Sequence, residues 1–213
     1  AGITLKNDMK IVSLKMSEPT LDDTMPDNER FTRALRAQTG VNVIRISYTA
    51  LNKLAFVLRE SHFDIQVVLR ETEKDLFVYD VFEKEKNVIV GGMAVDIGTT
   101  TVSAIIIDML TGEILAKGSA GNGQIRYGAD VINRIIESGK PGGREKLQKA
   151  VIDETINPLI DTMCKQAHLD HSQIYRLCIA SNTTMNHLLL GVFADPVRME
   201  PFVPSFFKTN SVY

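Results

Sequence analysis

An α/β fold in two regions is predicted by three features of this 213-residue chain. Residues 1–90 alternate strand-patterned and helix-patterned segments. Immediately after, three strand-patterned runs follow one another, and the rest of the chain carries amphipathic helices interrupted by one further strand. The regions meet near "KEKNVIVGG", where a charged stretch runs into a glycine pair, so the boundary is placed at residue 90.

Composition bounds the answer. At 44% hydrophobic and a mean hydropathy near zero, the chain can bury one large core or two small ones. Lys and Arg number 24 against 26 Asp and Glu, a net charge of −2, so no basic field points to nucleic acid or to an anionic membrane. No apolar run approaches the roughly 18 residues of a membrane span. The opening "AGITLKND" lacks the pattern of a signal peptide, and a cytoplasmic location is expected. Cys164 and Cys178 stand apart, one in a helical and one in a strand pattern, and read as small buried hydrophobes.

In the first region "MKIVSLKM" reads as a strand. "PTLDDTMPDNERFTRALRAQTG" holds a helix with Phe31, Ala34 and Leu35 on one face, Asp27 as its cap and Gly40 at its end. "VNVIRIS" is a strand, and "YTALNKLAFVLRES" a helix with Leu51, Leu54, Ala55 and Leu58 at helical spacing. "FDIQVVLR" and "DLFVYDVFE", joined by "ETEK", form a hairpin. This small α+β module has no glycine-rich loop and no His/Cys cluster. Its acidic run Asp22, Asp23, Asp27 and Glu29 reads as a solvated helix approach rather than a metal site.

In the second region "GMAVDI" is a short strand and "TVSAIIIDM" another, apolar on both faces, which suits the middle of a covered sheet. "LTGE" is a turn and "EILAKGSA" completes a meander. "YGADVINRIIES" sets Val131, Ile132, Ile135 and Ile136 on one helical face. A longer helix runs from about Arg144 to His168, with Leu147, Val151, Ile156, Leu159, Ile160 and Met163 inward and Pro158 as a kink. "IYRLCIASN" is the fourth strand, and "TTMNHLLLGV" a helix ending near Gly191. Three antiparallel strands, helices and a further strand is the order of a ribonuclease-H-like half.

Between the first two of these strands lies "DIGTTT", an acid, a glycine and three threonines interrupting an apolar stretch. Gly98 lets backbone N–H groups approach a ligand, and Thr99, Thr100 and Thr101 add hydroxyls, a donor array that suits phosphate oxygens. Asp96 is placed to hold a hydrated Mg²⁺ that offsets the phosphate charge. A Walker A loop is excluded, because the connection runs strand to strand and lacks Gly-Lys-Ser/Thr. The competing reading is a plain hairpin with a threonine-rich turn.

This strand–loop–strand resembles the first phosphate loop of the acetate kinase, sugar kinase, heat-shock chaperone and actin (ASKHA) superfamily. More narrowly, "GGMAVDIGTTTVSAIIIDMLTGEILA", "GNGQIRYGADVINRI", "ASNTTMNHLLLGV" and "PFVP" together resemble the ATP-dependent reductive activators of corrinoid proteins, and "PTLDDTMPDNERFTRAL" is similar to that family's middle region. The resemblance implies a linker or middle α+β domain at 1–90 and the N-terminal half of an ASKHA domain at 91–213. It implies ATP and Mg²⁺ as cofactors, a corrinoid protein as partner and a homodimer. It also implies the activity: an electron received on a two-iron two-sulfur domain is used, with ATP, to return cob(II)alamin to cob(I). Four clustered cysteines are needed for such a cluster, so this chain is expected not to bind one alone. A fragment without the electron-carrying head or the second ATPase half is inferred, inactive by itself.

Carried over by matching motif, the phosphate-loop residues are Asp96, Gly98, Thr99, Thr100 and Thr101. In the second motif Asn122, Gln124, Tyr127, Gly128, Asp130 and Arg134 match, while Gly123 stands where the family usually has proline. Gln124 is assigned to cofactor binding. Asp130 either contacts metal or polarises water, or caps its helix. Asn182 and Thr183, at the end of the fourth strand, face the γ-phosphate or cap the next helix, with Ser181 in place of a common glycine. His187 reads as packed or solvated rather than as a base. Two other function classes stay open: a sugar or acyl kinase, which would need a catalytic acid that "SNTTMNH" does not offer, and a noncatalytic docking or dimerisation module.

Overall fold

A computed structural model describes residues 7–207; both chain ends, including the closing "KTNSVY", lie outside the described residues. The chain forms two compact units. One comprises the described residues up to Val90 with Met109–Gly112, the other Gly91–Asp108 with the described residues from Glu113 onward.

The first unit is an α+β sandwich. Strands β1 (Met9–Lys15), β2 (Val43–Ile46), β3 (Asp64–Glu71) and β4 (Asp75–Glu83) form a sheet in the order β1-β3-β4-β2, with helices α1 (Asp27–Thr39) and α2 (Tyr48–Glu60) between them in sequence. β3 and β4 make the expected antiparallel hairpin, and β2 joins β4 in parallel. Phe31 and Leu35 of α1 meet Leu54 and Leu58 of α2, Ile65 and Val67 of β3, and Leu76 and Val78 of β4 in one core. Two expectations are corrected here. Pro26, not Asp27, precedes α1, and no side chain caps it. Asp27 instead pairs with Arg59 at 2.7 Å. On α2 the inward face is Ala50, Leu54, Val57 and Leu58, while Leu51 is half exposed. The cap Ser47, whose hydroxyl accepts from the Ala50 amide at 3.0 Å, fixes where the helical phase begins.

The acidic run before α1 is tied down rather than wholly solvated. Arg30, buried to 1% exposure, donates to the Asp23 carboxylate at 2.7 Å and to its carbonyl at 3.2 Å. The hydrogen bond from Arg30 holds the Asp23 carboxyl below the ordinary range.

The second unit is a ribonuclease-H-like half. Strands β5 (Gly91–Ile97), β6 (Thr101–Asp108), β7 (Ile114–Gly121) and β8 (Ile174–Ser181) assemble in the order β7-β6-β5-β8. The first three form an antiparallel meander and β8 runs parallel to β5. Between β7 and β8 come a 3₁₀ turn at Gly123–Tyr127, α3 (Val131–Ser138), α4 (Gly143–Val151) and α5 (Asn157–Ala167); α6 (Thr183–Leu190) and α7 (Asp195–Arg198) follow β8. Leu159 and Met163 of α5 lie on Gly118 of β7, where a β-carbon would come within 3.0 Å of them.

Three helical or strand expectations change. The long helix is broken not by a simple kink but by a π-helical turn, Ile152–Ile156. Pro158 has no N–H and its ring crowds the carbonyl four residues back, so the ladder is displaced in the turn before it. On α3 the buried residues are Arg134, Ile135 and Ser138, whereas Ile132 and Ile136 remain 47% and 42% exposed. β6 is buried on one face only: Val102, Ala104 and Ile106 face the helices, while Ile105 and the row Ala94, Ser103, Cys178 and Ala180 line an open shallow trough. Cys178 is therefore exposed, against expectation, and Cys164 is buried. No helix among the described residues is long and apolar enough to cross a membrane.

Candidate functional site

The parallel pairing of β5 with β8 sets Asp96 opposite Ala180 and Ile97 opposite Ser181. Both strands therefore end side by side, and their outgoing segments, residues 98–100 after β5 and the start of α6 after β8, lie together at the carboxyl edge of the sheet. That edge is where open α/β sheets bind ligands.

The bend after β5 is organised by its carbonyls. The Gly98 N–H donates to the Thr101 carbonyl at 2.9 Å, and the Thr100 carbonyl accepts from the Asn122 amide at 2.8 Å. The Gly98 carbonyl accepts from Asn122 Nδ2 at 2.9 Å. The Thr99 carbonyl accepts from Arg134 Nη2 at 2.6 Å. All four carbonyls are thus turned inward. The amides of Thr99 and Thr100 have no partner among the described residues, and these two residues are half-buried and exposed respectively. Successive amides left open in a turn are the kind of group from which anion-binding concavities are built. Glycine at 98 has a specific cause: a β-carbon there would stand 2.7 Å from the Thr101 carbonyl oxygen, so any side chain would force the bend open.

Opposite, Asn182 caps α6, its Oδ1 accepting from the Met185 amide at 2.9 Å. Thr183 is the first residue of α6, and Ser181 is held by Asn186 at 2.7 Å. The positive end of the helix therefore opens on the same edge as the bend. Asp96 is exposed on the open face of β5, and its carboxylate has no hydrogen-bond or ion-pair partner among the described residues.

Asp96, Gly98, Thr99, Thr100, Thr101, Asn182 and Thr183 are thus gathered at one edge. Two other expected residues are held elsewhere. Asp130 caps α3 with both carboxylate oxygens, one accepting from the Asn133 amide and the other from Asn133 Nδ2, each at 2.8 Å. Gln124 is buried to 1% exposure and its Nε2 donates to the Leu147 carbonyl at 2.9 Å, so it supports the wall behind the bend, while its Oε1 has no partner among the described residues.

Residues 91–213 match the RACo middle region family, and residues 1–87 match the RACo linker region family. The chain belongs to the RACo family. Among RACo-like relatives, the corrinoid activation enzyme RamQ of Eubacterium limosum is 38% identical over 122 residues, which is 57% of this chain and 20% of that protein. A solved structure of a reductive activator for corrinoid, iron-sulfur protein is 35% identical with a TM-score of 0.77, covering 96% of this chain and 32% of that one. The chain therefore spans a fifth to a third of the length of these relatives.

The RACo site contains residues whose roles the sequence did not disclose. Asn122 is buried and grips the bend by both backbone and side chain while its Oδ1 accepts from the Gln124 amide at 3.0 Å. Gly123, where the family usually has proline, donates its N–H to Thr155 Oγ1 at 3.0 Å. Thr155 in turn donates to the Ala150 carbonyl at 2.8 Å within the π-helical turn. A proline would lose that bond, so this glycine goes with a different local lock rather than a looser turn. His187 is fully buried, stacked on Phe206 with ring centroids 4.3 Å apart. Its Nδ1 meets the Thr183 carbonyl at 2.7 Å and its Nε2 accepts from the Ser205 amide at 3.2 Å, so it clasps the following segment and is no base.

Among the described residues no group of three His, Cys, Asp or Glu side chains is placed to hold a metal by itself. Magnesium needs no such cage: one carboxylate, waters and phosphate oxygens suffice. The free Asp96 carboxylate beside the bend fits that role. An iron–sulfur cluster does not fit this chain's two cysteines, one buried in α5 and one exposed on β8.

Proposed function

We propose that the protein of which this chain forms part is an ATP-dependent activator that returns the cob(II)alamin of a corrinoid protein to cob(I), and that residues 91–207 supply one jaw of its nucleotide site. The observation that carries this reading is the bend at 98–101: every carbonyl is engaged internally while the Thr99 and Thr100 amides are left for a ligand. The names of the relatives, a corrinoid activation enzyme and a reductive activator, supply the substrate class.

In this reading the two amides and the hydroxyls of Thr99, Thr100 and Thr101 bind the terminal phosphates, with Asn182 and Thr183 at the facing helix end. Asp96 orients a hydrated Mg²⁺, which supplies neutralising charge. Cobalt(II) reduction is uphill for ordinary donors, so nucleotide occupancy has to favour the state of the complex in which transfer proceeds. The electron reaches the corrinoid from outside these residues, and residues 1–87 take a docking or dimerising role in the cytoplasm. A sugar or acyl kinase is disfavoured because, among the described residues, the edge brings no second carboxylate beside Asp96; Asp130 is committed to its cap.

The test is Asp96→Ala in the full-length protein. Nucleotide-dependent formation of cob(I), followed by its absorbance, is expected to fall by at least about a hundredfold, with circular dichroism unchanged. Normal activation by the variant would remove Asp96 from the site.

A further inference from the structure

Arg134 is the most unusual side chain of the second unit. It has no exposure to solvent and forms no ion pair among the described residues, the Asp130 carboxylate acting on it only through space. Its Nε donates to the Gly128 carbonyl at 2.8 Å, its Nη2 to the Thr99 carbonyl at 2.6 Å, and its Nη1 rests 3.5 Å from Met185 Sδ. The nearest acids in sequence, Glu137 and Asp130, are occupied by Lys140 and by Asn133 respectively. Burial pushes the guanidinium below its ordinary value, yet a guanidinium stays protonated in proteins. A buried, unpaired positive charge is expensive, and replacing it with a hydrophobe of similar shape is often neutral or stabilising. Packing alone therefore does not explain why an arginine occupies this place.

Its position does explain it. Of the contacts that fix the bend, the one to the Thr99 carbonyl decides which way the peptide between Thr99 and Thr100 faces. With that oxygen drawn down onto Arg134, the Thr100 amide must face the opposite way, outward. The missing counter-charge would then come from above, across the peptide plane. Gly128 is part of the same device, because a β-carbon there would come within 2.8 Å of the Arg134 backbone nitrogen and push α3 away.

We propose that Arg134 is a positioning residue of the anion site: it orients the Thr99–Thr100 peptide and holds, beneath it, a positive charge whose partner is the terminal phosphate of a bound nucleoside triphosphate. This rests on the phosphate-loop reading above. It predicts that bound triphosphate, not another side chain, completes the charge balance of the buried arginine.

The test measures Mg-ATP and AMP affinity of the full-length protein by calorimetry, for the unmodified chain and three variants. Arg134→Met removes the charge and keeps the volume. Arg134→Lys keeps the charge but not the fork. Met185→Glu keeps the arginine and sets a carboxylate against it, at a sulfur that Asn122 Nδ2 also approaches at 3.8 Å. Mg-ATP affinity is expected to fall about tenfold or more in Arg134→Met and Met185→Glu, and by less than about threefold in Arg134→Lys, with AMP affinity unchanged throughout. Equal losses in the Lys and Met variants, or Mg-ATP binding at the unmodified affinity in Met185→Glu, would overturn the proposal. Should Arg134→Met fail to fold, Met185→Glu decides alone. Failure of the unmodified protein to bind Mg-ATP would overturn the phosphate-loop reading itself, an outcome distinct from binding that ignores the arginine.

Discussion

Asn122 shows how much a single side chain can organise. It is buried to 1% exposure and joins the Gly98 carbonyl, the Gln124 amide and, through its own backbone, the Thr100 carbonyl. Asn122→Ala strands two buried polar groups, so a loss of about 2–4 kcal/mol in urea unfolding is expected, together with weakened Mg-ATP binding. The two cysteines give a simpler check: iodoacetamide should modify Cys178 in the native chain and reach Cys164 only after denaturation, because burial raises the Cys164 thiol and hides it. Mass spectrometry of the labelled peptides reads the difference. At this scale the sequence disclosed the bend, since an acid, a glycine and hydroxyls between apolar strands have few other uses. It picked out Arg134 and Asn122 as motif matches but gave them no role, because their burial depends on carbonyls contributed by segments far away in the chain. Nor did it disclose that Gln124 points into a wall.

At the scale of elements, α3 separates two roles for one residue. Asp130→Ala should lower stability by about 1 kcal/mol through the lost cap, and Asp130→Asn should restore it together with nucleotide-dependent activity. Loss of activity in the Asn variant with stability intact would give Asp130 a chemical role after all. The approach to α1 titrates. Arg30 lowers the Asp23 carboxyl, so the stabilisation it lends is present above the unfolded value, roughly 3.9, and is lost as pH falls from there toward the folded value. Thermal melts of Asp23→Asn and the unmodified protein should therefore converge as pH drops below about 4. The order and type of the eight strands among the described residues were readable from apolar runs and turn residues. Helix faces were read less well. On α2 a face centred on Leu51 and Ala55 looked as apolar as the true one, and on α3 the rule that charges seek water hid a buried arginine.

At the scale of the whole molecule, two sheets with separate cores make separate stabilities measurable. Leu35→Ala, in the core of α1, should cost about 2–5 kcal/mol and speed hydrogen exchange in β1, β3 and β4 while β5–β8 keep their protection. Exchange mass spectrometry resolves the two sets of peptides, and uniform loss would mean one cooperative unit. Composition and the glycine pair at 91–92 announced two regions, but nothing in the sequence told that β6 would be covered on one side only, since an alternating apolar run looks the same with or without a layer above it. The bend at 98–101 has a consequence for inheritance. The two amides it leaves open belong to peptide units, which every residue but proline can supply, so replacing a single threonine removes a hydroxyl and keeps those donors. What a lineage cannot rewrite is the path of the chain: Gly98→Ala, with no functional atom removed, should do more harm than Thr100→Ala, and vulnerability lies in shape rather than in letters.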